Sequence, residues 1–218
     1  MSLTAHQRLI LFIVAAFVID YLPLINLPFL WSETFFHEIS HGLAALVSGG
    51  SIVKINLYFN GSGLCTTRGG WHPLVSFSGY AGSALWGLLI YRVADSLTVK
   101  HARVLVSVFI AMFLLTLILW ARDVSTIAIL LVLLAMYTLP LYFSFKKAVK
   151  YFIQLVGIFV LLDAIRSPLY LLDGRSLGDG AALSELFLLP EIFWIGCWFV
   201  IAVACLYSLW TSSRRRSG

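Results

Sequence analysis

From Leu9 to Trp210 this chain is one apolar segment after another, a succession that leaves it few ways to fold. Seven segments can be counted, at roughly 9–30, 32–49, 72–94, 101–121, 124–145, 149–172 and 186–210. Most are near the ~20 residues that a helix needs to cross a bilayer. Charged residues are 11% of the chain against the ~25% usual in a soluble domain, and mean hydropathy is +0.95. The expectation is an all-α polytopic membrane protein, a bundle of about six to seven transmembrane helices forming a single integral-membrane domain over residues 1–218. The N-terminal apolar stretch has no small-residue cleavage site and is followed by Pro23 and Pro28, so it reads as a retained span. Cys65, Cys197 and Cys205 lack metal-ligand spacing and read as buried small hydrophobes.

Inside the second segment, Phe35 to Ala44 reads F-F-H-E-I-S-H-G-L-A. On a helix His37 and His41 are four apart and share a face, so both imidazoles can hold one Zn²⁺. Glu38 lies beside them, placed to take a proton from a water that the metal polarises. Two imidazoles and a carboxylate are costly at membrane depth, so they point to function. The pattern suggests an intramembrane metallopeptidase.

A catalytic zinc takes three protein ligands plus water, and His6, His72 and His101 lie at the terminus or at segment edges. The third ligand is therefore sought among the acids, with Asp163 first and Asp173 and Asp179 as alternatives. Depth favours Asp163. By helical rise His37 and His41 lie ~8 and ~14 Å into their segment, Asp163 ~21 Å into the sixth and Asp173 ~36 Å. Spans two and six would run in the same direction. Asp179 falls in the loop beyond, unless Leu177 to Leu186 folds back. The competing reading of Asp163 is an ion pair with Arg166.

Between Gly49 and Gly70 the pattern changes. Val53, Ile55, Leu57 and Phe59 alternate, Asn60-Gly61 supplies a turn, and Gly63 to Thr67 returns, predicting a β-hairpin over about 51–68. It reads either as a surface loop or as an edge strand, through Val53, Ile55, Asn56 and Leu57, that holds an extended substrate by main-chain hydrogen bonds. Gly79, Ser83 and Gly87 then form a small-residue stripe that lets the third segment approach the motif helix.

The motif, the hairpin, the Gly-rich span and a late acidic residue together resemble the site-2 protease family of intramembrane zinc metallopeptidases, in its short branch without a PDZ domain. The resemblance implies a zinc held by two His and one Asp, a Glu base, and cleavage of transmembrane protein substrates within the lipid bilayer. The family's Leu-Asp-Gly is matched literally by Leu172-Asp173-Gly174 and loosely by Leu162-Asp163-Ala164, and its Asn-Pro signatures are absent. Other readings are a catalytically silent relative that binds or chaperones membrane proteins, and a transporter, for which no inverted repeat is seen. The net charge of +5 and the Arg214-Arg215-Arg216 tail read as a membrane anchor rather than a nucleic-acid patch. Arg92, Lys100, Arg103, Lys146, Lys147, Lys150 and the tail fall on one side, which the positive-inside rule makes cytoplasmic, in what reads as a bacterial inner membrane. With seven crossings, the N-terminus and Arg8 would lie opposite.

Overall fold

A computed structural model describes residues 3–96, 98–142, 147–175 and 177–216, apart from the side chain of Asp173. The chain is a multi-pass, almost wholly helical membrane protein with one two-stranded antiparallel hairpin. Its elements are α1 (Ala5–Asp20), α2 (Pro23–Val47), β1 (Ser51–Leu57), β2 (Gly63–Arg68), α3 (His72–Ser96), α4 (Val99–Leu119), α5 (Val124–Tyr142), α6 (Ala148–Arg166), a 3₁₀ turn (Ser167–Asp173), α7 (Asp179–Phe187) and α8 (Glu191–Arg215). Five helices are long and apolar enough to span a membrane: α3, α4, α5, α8, and α6 with the 3₁₀ turn.

The first two segments correct the count of seven crossings. They meet at Tyr21-Leu22 rather than near Trp31, and α1 and α2 bend by 114° into a broken pair. The sequence reason is Pro23. It fixes the first turn of α2, while Leu22 before it is pushed out of the helical region, with ψ 87°. With the pair as one crossing there are six, which puts both termini at the same end. The ion pairs agree. Asp95, near the end of α3, meets Arg8 at 3.1 Å and Arg216 at 2.6 Å, and its backbone carbonyl accepts from Lys150 Nζ at 2.7 Å. Arg8 therefore sits with the basic tail, not opposite it. Lys146 lies outside the described residues.

The small residues of α3 serve two partners. Gly79 and Gly82 lie against α2, where an added Cβ would come within 2.5 Å of His37 Nε2 and 2.2 Å of Ser40 Oγ. Gly87 instead faces α6, its Cβ position 2.6 Å from the Leu161 nitrogen, and Gly157 of α6 answers against Tyr91. Close backbone approach of this kind is how helices associate in lipid, where apolar burial gives no driving force.

In the hairpin, Ile55 pairs with Cys65 and Leu57 with Gly63, but a bulge between Ile52 and Lys54 breaks the expected alternation. One extra residue shifts the faces, so Ile52, Ile55 and Leu57 are buried while Val53 is exposed, and Phe59, exposed too, lies beyond the end of the strand. The outer edge of β1 is taken. Ile55 N–H donates to the Trp120 carbonyl at 3.1 Å, Leu57 N–H to Thr126 Oγ1 at 2.7 Å, and Asn56 Nδ2 to Asp123 Oδ2 at 2.6 Å. Burial alone would raise the Asp123 carboxyl, but bonds from Ser125, the Thr126 N–H and hydroxyl, and Asn56 hold it down at about 2. The start of α5 thus clamps β1, and β2 is left as the open edge.

Candidate metal centre

Helix α2 carries His37 and His41 one turn apart, with their Nε2 atoms 3.1 Å from each other. The third group is Asp179, whose Oδ2 lies 3.3 Å from His37 Nε2 and 3.2 Å from His41 Nε2. Among the described residues these three form the one cluster whose donor atoms suit a metal ion. Ligands ~2.0–2.1 Å from a tetrahedral zinc stand ~3.3 Å apart, so the triangle fits three ligands with a fourth position open.

Each member is oriented from behind. His41 Nδ1 donates to the Val75 carbonyl at 2.7 Å, leaving Nε2 as the metal-facing nitrogen. The His37 ring meets Tyr80 edge to face at 4.5 Å, and Tyr80 rests on Trp198 at 4.8 Å. Gly79 is required here, because a Cβ would stand 2.5 Å from both imidazoles.

Asp179 arrives by a fold-back. It opens the nine-residue α7 directly after Gly178, whose φ of +92° is open to glycine. Leu183, four residues on and therefore on the same face of α7, is buried with Ile195 and Trp198 of α8 and Ala81 of α3. Gly180 lies flat against Glu191. Docking through Leu183 turns Asp179 toward the histidines. Burial would raise its carboxyl, but His41 and His37 hold it well below the usual carboxylate range, in the form that ligates metal.

Asp163, ranked first from depth, is instead drawn to Arg166 at 3.1 Å, and Arg166 also pairs with Asp20 of α1. Rise along a helix gives height and not the direction a side chain faces, and it cannot represent a short helix returning from a loop. Asp173 ends the 3₁₀ turn, and its side chain lies outside the described residues. Sequence signals for Asp179 were the flanking glycines Gly178 and Gly180 and the Leu at i+4.

Glu38 is buried at 4% exposure, with its carboxylate within reach of the Cys65 backbone N–H on β2. Gly63 permits this contact, since a Cβ there would lie 2.5 Å from Glu38 Oε1. A cavity of about 350 Å³ opens onto His37, Glu38, His41 and Asp179 and is walled by Gly63, Cys65 and Thr67 of β2. The strand beside the site is thus β2. Of the residues expected to hold substrate, Val53 is unpaired in the bulge and Ile55, Asn56 and Leu57 are engaged with the α4–α5 connection.

Comparison with the curated proteins and with the solved structures returned no match. A family model described as Peptidase M50B-like matches residues 10–209, which takes in all or most of every helix and the whole candidate centre. The match agrees with the resemblance to site-2 proteases, and the chain belongs to the Peptidase M50B-like family.

Proposed function

We propose that this protein is an intramembrane zinc metalloprotease that hydrolyses peptide bonds of membrane-spanning substrates in a bacterial inner membrane. The observation that carries the reading is the meeting of His37, His41 and Asp179, donor atoms 3.1 to 3.3 Å apart, beside a buried Glu38. Two imidazoles and one carboxylate are a common catalytic zinc set. Zinc held by these three residues would polarise water and the scissile carbonyl. Glu38 takes a proton from the attacking water and returns it to the leaving amine, which balances the hydrolysis. Its burial and the nearby Cys65 N–H support that role.

A substrate helix arrives with its backbone hydrogen bonds satisfied, and unwinding it requires replacements. Alternation along the hairpin supplies them. The outward N–H groups of β1, at Ile55 and Leu57, are spent on the α4–α5 connection. Of the outward groups of β2, the Cys65 N–H is turned to Glu38, while Gly63 and Thr67 line the same cavity and remain to meet a substrate strand. Strand addition is therefore assigned to β2, in place of Val53, Ile55, Asn56 and Leu57.

The test is Glu38→Gln. The purified variant should keep its zinc and its fold while cleavage of a transmembrane substrate falls by ~10²-fold or more. Cleavage at the wild-type rate would refute the mechanism and favour the silent relative.

A further inference from the structure

A second cavity, about 380 Å³, lies against the same catalytic residues from the other side. It shares His37, Glu38, Gly63 and Tyr80 with the first and continues to Glu33, Asp163 and the hairpin turn at Asn60 to Ser62. The proposed mechanism uses Glu38 but neither Glu33 nor Asp163. Glu33 and Asp163 are each 5% exposed, and their carboxyl groups face one another closely enough to interact directly. Ser83 and Asp163 approach the Glu33 carboxyl, but its Oε1 has no hydrogen-bond partner in bonding geometry among the described residues.

The acidic groups outnumber the basic ones. Asp20, Asp163 and Glu33 bring three carboxyls to a network whose one guanidinium is Arg166, and that group pairs with Asp163 and Asp20 rather than with Glu33. No Lys or Arg lines the cavity. Facing carboxyls with a single counter-charge between them favour any cation that can enter, and a buried orphan oxygen is the atom it would satisfy. Gly63, where substrate backbone is expected, lines the same chamber.

We propose that this chamber is a specificity pocket for a cationic side chain, Lys or Arg, of a substrate residue next to the scissile bond, with Glu33 and Asp163 as its acceptors. The inference rests on the peptidase reading.

The test uses transmembrane-segment peptides in detergent micelles that differ at one position beside the cleavage site: Lys, Arg, Gln or norleucine. Wild type should prefer Lys and Arg over norleucine by ~10-fold or more in kcat/KM, and Glu33→Gln should bring that ratio close to one. Peptide affinities are measured in parallel on zinc-loaded Glu38→Gln and Glu33→Gln/Glu38→Gln protein, so that cation preference is read without turnover. Preference in the first and its loss in the second supports the pocket. Equal binding of Lys and norleucine peptides by the first, or preference retained in the second, overturns it. Absence of cleavage by wild type would instead count against the peptidase reading, while the binding arm still decides the pocket. Metal content of every variant reports that the centre is intact.

Discussion

Two aspartates separate what is written in the residues from what is not. The distance from His37 to His41 is fixed by helical period, so the pair and Glu38 are legible in the sequence. Asp163 and Asp179 are not separable that way. Each is an acid after an apolar run, and the difference lies in where α6 points one side chain and how α7 folds back. Exchanging each tests the difference. Asp179→Asn removes a charged ligand and should lower zinc affinity by more than the ~10–100-fold typical of residues that only orient ligands. Asp163→Asn should keep zinc at wild-type stoichiometry and lower the melting temperature, because Arg166 loses a partner it meets at 3.1 Å. Metal analysis of the two purified variants beside wild type checks both. Zinc retained by Asp179→Asn and lost by Asp163→Asn would restore the depth ranking.

At the scale of elements the hairpin was legible as a hairpin, since Asn60-Gly61 and the alternating residues before it are local signals. Its working edge was not, because which edge is free depends on the distant Trp120 and Thr126. The bulge at Val53 was hidden as well, since nothing in S-I-V-K-I marks an extra residue. A proline test of strand addition therefore belongs on β2. Pro at Ile55 or Leu57 would remove bonds to Trp120 and Thr126 and loosen the clamp that holds the hairpin. Pro at Thr67 removes an outward N–H from an edge strand, a position that tolerates it. Thr67→Pro should therefore keep zinc and melt near wild type yet lose most cleavage of a helical substrate. A short unfolded peptide, which needs less help to extend, should be cut more nearly as before. Equal loss on both substrates would mean that β2 does not receive the chain.

For the whole molecule, orientation follows from one bend. Counting apolar segments treats α1 and α2 as two crossings, and a count that is off by one moves the N-terminus to the opposite side. Taking the pair bent by 114° at Tyr21-Leu22 as one crossing gives six, and Asp95 gathers Arg8, Lys150 and Arg216 from α1, α6 and α8 at one end. Arg122, after α4, is at the other end, beside the residues that clamp β1. The basic residues then segregate more sharply than under seven crossings, because Arg8 joins Arg92, Lys147, Lys150 and the tail on the side that the positive-inside rule makes cytoplasmic. Single cysteines at Leu3, Lys147 and Arg215, introduced into a background lacking the three native ones, should all react with a membrane-impermeant thiol reagent from the cytoplasmic face. A cysteine at Arg122 should react from the opposite face. Labelling of Leu3 together with Arg122 would break the paired reading of α1 and α2. It would also remove the arrangement that holds the motif helix as a bent arm inside the bundle, where His37 and His41 can meet a residue returning from α7.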